Sequence, residues 1–285
     1  MTLATGQSWP AGLAVDATDV YWVSFDAVRK IAFDPPGAMP TTLAPNDPSY
    51  SGQMVLDADT VASRDTARVS HLAAGAVLTA VEAVMEGTVP NAFALSRPPG
   101  HHAKPDKAMG FCYFNNVAIA TRYIQKEWEI KRVGIVDFDV HHGNGTQAAF
   151  FRQPDVLYAS THQSPLFPGT GHRHEVGVGN IVNVPLPPAS GSEDFQEAVR
   201  KRILTALHDF KPELLLISAG FDGHRNDPLA SLLLTEDDYA WITLELMKIA
   251  DRYCHGRLIS VLEGGYNLEA LAASTIAHVN ALLSS

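Results

Sequence analysis

Asp137, Asp139 and His141 stand at alternate positions near the end of an apolar run, in Gly134-Ile-Val-Asp-Phe-Asp-Val-His-His-Gly-Asn-Gly145. Side chains of an extended chain alternate between its two faces, so these three project to one side. Two carboxylates and an imidazole at that spacing suit a divalent metal that keeps a coordination position open for water or substrate. The bland alternative is that the aspartates cap a following helix, with His141 and His142 packed beneath it, because a motif alone is a hypothesis.

Three further polar clusters follow apolar runs. Arg97-Pro-Pro-Gly-His-His102 comes after Ala92 to Leu95, and Ser218-Ala-Gly-Phe-Asp-Gly-His-Arg-Asn-Asp-Pro228 after Leu214 to Ser218. Glu263-Gly-Gly-Tyr-Asn267 comes after Leu258 to Leu262. All set glycine beside His, Asp or Tyr, as a backbone drawn close around a ligand requires.

The elements that must position these clusters alternate in type. Arg64 to Glu86 repeats apolar residues at Ala67, Leu72, Ala76, Ala80, Val81 and Val84 and meets Gly87, which predicts a helix. Further helices are expected at Tyr113 to Trp128, through Ala148-Ala149-Phe150, and at Phe195 to Phe210, Tyr239 to Tyr253 and Leu268 to Leu282. Between them lie short aliphatic runs at Val133, Val156 to Ser160 and Ile181 to Leu186, beside those named above. Continuous aliphatic strands need cover on both faces, so the expected fold class is α/β, a mostly parallel sheet flanked by helices. Function then belongs at the carboxyl ends of the strands, where the four clusters fall.

Composition narrows the function. With 46% hydrophobic and 18% charged residues, the 285-residue chain can bury a large core. A formal charge of -10 argues against general nucleic-acid binding and suits a cationic substrate. Cys112 and Cys254, the only cysteines, make no disulfide framework and fit a reducing compartment. The first residues lack a signal peptide's basic and apolar regions, and no later stretch reads as a membrane span. A soluble, cytoplasmic protein without membrane contact is expected.

Residues 1–56 differ in texture from the rest. Gly12 to Trp22 reads as two short strands around a polar turn, and Val55 to Val61 echoes its middle, with Asp16-Ala17 facing Asp57-Ala58. The interval is that of one propeller blade of about 40 residues, or a chance echo; a lone blade makes no propeller. Irregular chain is expected at Pro35-Pro-Gly and at Pro45-Asn-Asp-Pro48.

Taken together, the motifs from about Asp57 onward resemble the histone deacetylase and acetylpolyamine amidohydrolase family, in particular its class II-like bacterial members, with their arginase/deacetylase-like fold. The resemblance rests on Arg97-Pro-Pro-Gly-His-His-Ala103, Gly110-Phe-Cys-Tyr-Phe-Asn-Asn116 and Asp137 to Gln147. It continues through Phe167-Pro-Gly-Thr-Gly171, Ser218-Ala-Gly-Phe-Asp222 with Asp227-Pro228, and Glu263-Gly-Gly-Tyr-Asn267. It implies one zinc ion on Asp139, His141 and Asp227. It also implies His102 as the group that takes and returns a proton, and His101 as an electrostatic assistant whose ring Asp137 could orient. By the same resemblance Tyr266 donates to the developing oxyanion, and Gly110, Phe111 and Phe167 line a substrate tunnel. A monovalent cation, potassium, is implied at Asp137, Ser160 and the carbonyls of Asp139, His141 and Thr161, with a second near Phe150, Gln153 and Val156.

Two departures from the family pattern stand out. Asn144 takes the place where one branch has an Asp beside the second histidine, which leaves that histidine less basic. The family's opening strand, Gly-His-Pro-Glu-Arg-Pro-Glu-Arg-like loop and helix do not occur before Asp57. Apolar surface near the first long helix and the His101 loop is then expected to lie open to self-association or a partner. The expected activity is hydrolysis of an acetyl or other acyl group from acetyl-lysine or an acetylpolyamine. A catalytically impaired acyl-lysine-binding remnant and a binuclear ureohydrolase are the alternatives.

Overall fold

The computed structural model describes residues 54–284 throughout and, before them, the backbone of four strands. These are β1 (Gly12–Val15), β2 (Asp19–Ser24), β3 (Ala27–Ala32) and β4 (Thr41–Pro45), antiparallel neighbours in that order. Of the irregular chain expected at 35–37 and 45–48, Pro45 closes β4 and the rest lies outside the described residues. A separate hairpin follows, β5 (Met54–Asp57) paired with β6 (Thr60–Ala62).

From there helices and strands alternate: α1 (Thr66–Met85), β7 (Asn91–Ala94), α2 (Asn116–Glu127), β8 (Val133–Asp137), α3 (Asn144–Phe150), β9 (Val156–Gln163) and β10 (Ile181–Leu186). Next come α4 (Ser192–Ala198), a π-helical stretch over Val199–Leu204, α5 (Thr205–Phe210), β11 (Leu214–Ala219), α6 (Glu236–Tyr253), β12 (Leu258–Leu262) and α7 (Leu268–Leu282). β7 to β12 form one six-stranded sheet in the order β10-β9-β8-β11-β12-β7, parallel at every pairing.

Every residue of β8, β9, β11 and β12 is buried. Period-two alternation divides them between two cores. Val136, Leu157, Ala159, Leu215 and Ile217 join Phe195, Ile203, Ile242 and Leu246 on one face. Ile135, Val156, Tyr158, Leu216 and Val261 join Val77, Val81 and Ile124, from α1 and α2, on the other. The buried face of α1 runs through His71, Ala74, Val77, Val81 and Val84, whereas Leu72, expected inside, is 61% exposed. Alanine on several faces of the helix leaves its register ambiguous in sequence.

By length and composition α1 is apolar enough to cross a membrane, at a mean hydropathy of 1.2, contrary to the expectation that no stretch would qualify. It packs here as a core helix against the sheet. Side-chain caps set the helix starts: Asn115 accepts from Ala118 N for α2, and Asn267 from Ala270 N for α7. At α6 the Asp238 carboxylate reaches back to Thr235 N at 2.9 Å, so the helix begins before the expected Tyr239.

Candidate active site

The strand ends are level. Asp137 at the end of β8 pairs in register with Ser218 of β11 and Ser160 of β9, and Ala219 with Leu262. The four polar clusters therefore leave the sheet along one edge and converge.

At their centre lie Asp139, His141 and Asp222, all buried, each with a potential ligand atom within 4.8 Å of the others. His141 Nδ1 is 3.2 Å from Asp139 Oδ1 and 3.0 Å from Asp222 Oδ2. Backbone N–H groups steady the acids: Gly264 N donates to Asp139 Oδ2 at 2.8 Å and Val140 N to Asp222 Oδ1 at 2.9 Å. Glycine makes the space. A Cβ on Gly220 would stand 2.0 Å from Asp139 Oδ2, and one on Gly264 2.2 Å from Asp222 Oδ2. Burial, then the charge of Asp139, push Asp222 up to about 7. Burial opposes the charge on His141, but Asp139 and Asp222 outweigh it and raise the imidazole to about 10. Two crowded buried acids around one imidazole nitrogen are a donor set that fits a divalent cation such as zinc.

Asp227, expected as the third ligand, is not part of this group. Its Oδ2 accepts from Tyr266 N at 2.7 Å and Asn267 N at 3.3 Å, and its Oδ1 from Leu229 N at 3.0 Å. Asp222, just beyond the end of β11, and Asp227 are both buried members of one loop, Asp222 against His141 and Asp227 against the backbone of Tyr266.

The paired histidines lie beside the acids, ring centroids 4.0 Å apart. His101 Nδ1 meets Asp137 Oδ2 at 3.0 Å, and His102 Nδ1 meets Asn144 Oδ1 at 2.8 Å. Their surroundings drive them apart. Burial would lower His101, but the charges of Asp139, Asp137 and Glu263 hold it well above the ordinary imidazole range. Burial, then the charge on His101, hold His102 well below it. Glu263 and Tyr158 support this pair without having been singled out by sequence. Glu263 accepts from Gly100 N at 2.6 Å, His101 N at 3.1 Å and Ser218 Oγ at 3.1 Å, and the Tyr158 hydroxyl donates to Asp137 Oδ2 at 3.0 Å.

Tyr266 follows β12 and has its phenol pushed upward by burial and by the charges of Asp222 and Asp139. Phe111 stands edge-on to it at 5.9 Å, and Phe167 edge-on to His102 at 5.1 Å; these aromatics are 38% and 40% exposed. Gly110 lies against the His102 ring, where a Cβ would come within 2.3 Å of Cδ2. The Phe167 loop is tied down by Glu175, which accepts from Gly171 N at 3.2 Å and Gln147 Nε2 at 2.6 Å.

Of the residues associated with monovalent cations, Asp137 and Ser160 face each other across β8 and β9, with Thr161 next along β9. Ser160 Oγ meets His162 Nδ1 at 2.9 Å. The carbonyls of Phe150, Gln153 and Val156 converge on the Asn180 carboxamide nitrogen at 2.8, 2.9 and 2.8 Å.

A parallel sheet flanked by helices, with acids and histidines gathered on its carboxyl edge, is the arginase/deacetylase-like α/β architecture. Residues 35–282 match the model of the Histone deacetylase domain. The chain is 46% identical to Histone deacetylase 10, chloroplastic, of Oryza sativa subsp. japonica, over 75% of this chain and 51% of that protein. It is 42% identical to the Histone deacetylase-like amidohydrolase of Pseudomonas aeruginosa, over 70% of this chain and 54% of that one. Among solved structures, the HDA15 HD domain gives a TM-score of 0.77 at 40% identity, over 82% of this chain and 69% of that chain. The chain belongs to the histone deacetylase family, and it spans about half the length of these curated relatives.

Proposed function

We propose that this chain is a zinc-dependent amidohydrolase that removes an acetyl group, or a related acyl group, from the amine of a lysine side chain or a polyamine. The observation that carries the reading is the opposed setting of two adjoining histidines: His101 against the carboxylate of Asp137, His102 against the amide oxygen of Asn144. Zinc on Asp139 and His141, with Asp222 or Asp227 of the following loop as third donor, would acidify water and polarise an amide carbonyl.

The residues divide the remaining work. The Asn144 oxygen accepts a hydrogen bond from His102 Nδ1–H, which leaves Nε2 as the basic nitrogen. Neutral by environment, His102 takes a proton from water and later delivers one to the departing amine. His101 keeps its proton because acids surround it, so it contributes positive charge rather than a base. The Tyr266 hydroxyl, held protonated, donates to the substrate oxygen as negative charge develops there. Phe111 and Phe167 flank the approach and suit an aliphatic stem. The net charge of -10 favours a cationic peptide or polyamine carrying it.

A ureohydrolase with two metals needs further carboxylate ligands, whereas the described residues hold one close group of three donors. Turnover of a fluorogenic acetyl-lysine peptide and of an acetylpolyamine, with and without chelator, tests the proposal. Hydrolysis that chelator abolishes and zinc restores is expected. Binding without turnover would favour the impaired remnant, and urea release from a guanidino substrate would favour the ureohydrolase.

A further inference from the structure

We infer that the β5–β6 hairpin is a positioning device for the rim of this site, acting through Thr60 and Asp59 on the turn at Gly110 and Phe111. The inference rests on the deacylase reading for its consequence, but its geometry is independent of it. Gly110 and Phe111 are both left-handed, at φ 58° and 65°. Glycine tolerates that backbone, whereas phenylalanine is disfavoured there unless its surroundings fix it.

What fixes it is a short closed relay. Phe111 N donates to Thr60 Oγ1 at 3.0 Å, Thr60 Oγ1 donates to Asp59 Oδ1 at 2.8 Å, and Gly110 N donates to the same Asp59 oxygen at 3.0 Å. The N–H groups of both left-handed residues are thus satisfied by the turn and first strand residue of one hairpin. Two outer contacts brace it: the Tyr113 hydroxyl donates to Val61 O, and Lys107 Nζ pairs with Asp57 Oδ2 at 2.9 Å.

The turn so held faces inward on the chemistry. Gly110 presses against the His102 ring, and the Phe111 ring stands edge-on to Tyr266. A hairpin that grips the backbone of 110 and 111 therefore sets how Gly110 abuts the proton carrier His102 and where the Phe111 ring stands beside Tyr266. Thr60 is 1% exposed, so its effect on substrate passes through Phe111 rather than through direct contact. Its loss should weaken the grip on the acyl-bearing stem more than it slows the chemical step.

The test compares full chains carrying Thr60→Val, which keeps the shape and deletes the hydroxyl, and Thr60→Ser, which keeps the hydroxyl. Hydrogen exchange of the Gly110 and Phe111 amides is read beside KM and kcat for an acetyl-lysine peptide. Thr60→Val should exchange there about tenfold faster while β8 and β11 stay protected. Its KM should rise about fivefold with kcat within about twofold, and Thr60→Ser should stay near wild type. In a Phe111→Ala background the valine change should add nothing to KM. Unchanged exchange at 110 and 111, faster exchange throughout the sheet, or an undiminished KM effect without Phe111 would each overturn the inference. A wild-type chain without turnover would sink the deacylase reading alone, since the exchange comparison still decides whether the hairpin holds the turn.

Discussion

The carboxylate of Asp227 accepts the backbone N–H of Tyr266 at 2.7 Å. With Asn267 N on the same oxygen and Leu229 N on the other, Asp227 is a strut between two loops, and it fixes the main chain of Tyr266 just before the Asn267 cap of α7. Asp227→Ala should therefore lower kcat by at least about 10-fold to 10²-fold, the scale of misplacing a catalytic group by about 1 Å. Asp227→Asn, which retains a carbonyl acceptor, should lose less. Zinc content and kcat measured on the same preparation check this: zinc retained makes Asp227 a strut alone, and zinc lost makes it the third ligand as well.

The complementary expectation concerns Asp222. Asp222→Ala and Asp139→Ala should each abolish tight zinc binding and turnover together, because two protein donors hold zinc poorly. Zinc titration against a competing chelator reads the affinity directly. Full occupancy in Asp222→Ala would remove it from the site.

That one loop offers two buried acids, Asp222 and Asp227, as the third donor shows where sequence runs out. Both lie in Ser218 to Pro228, among glycines, and spacing alone does not say which acid turns toward Asp139. The chain path supplies what spacing cannot: Gly220 lies flat against Asp139, which brings Asp222 close, and further along the loop Asp227 meets the backbone of Tyr266. The strand ends were legible because buried parallel strands announce themselves as unbroken aliphatic runs; β8 ends at Asp137, short of the extended chain expected through His141, yet the alternation persists, with Val136, Phe138 and Val140 in the core. Glu263 and Tyr158 were not singled out, since a carboxylate that pins Gly100 and a phenol that steadies Asp137 act on partners remote in sequence. Leu72 failed for another reason: alanines around α1 blur the apolar stripe by which a helix face is judged.

Tyr266→Phe should leave folding and zinc content unchanged while lowering kcat by about 10²-fold, the cost of one oxyanion donor. The change removes a hydroxyl and keeps the ring that meets Phe111. Steady-state kinetics beside a melting curve check it, and wild-type turnover from the variant would make Tyr266 a packing residue.

Acid stability should carry the mark of His278, whose ring packs against Phe93, Phe138 and Phe221 beneath the site. It is fully buried, with Nδ1 2.6 Å from Thr243 Oγ1 and Nε2 2.9 Å from Ser260 Oγ, and burial pushes it down to about 3. In the unfolded chain the same imidazole titrates near about 6.5. Because the folded value is the lower one, the unfolded state binds the extra proton between the two. The contribution of neutral His278 is thus complete above about pH 6.5 and is lost as pH falls from there toward 3, with a limiting slope of about 1.4 kcal/mol per pH unit. His162, pushed down to about 4 mainly by burial, acts in the same direction and remains in any His278 variant. His278→Gln keeps a polar side chain and removes the titration, so unfolding free energies from urea titrations at pH 6, 5 and 4 should fall less steeply, by about one proton's slope. An unchanged slope would mean that His278 is protonated equally in the folded and unfolded chains and that other groups carry the acid sensitivity.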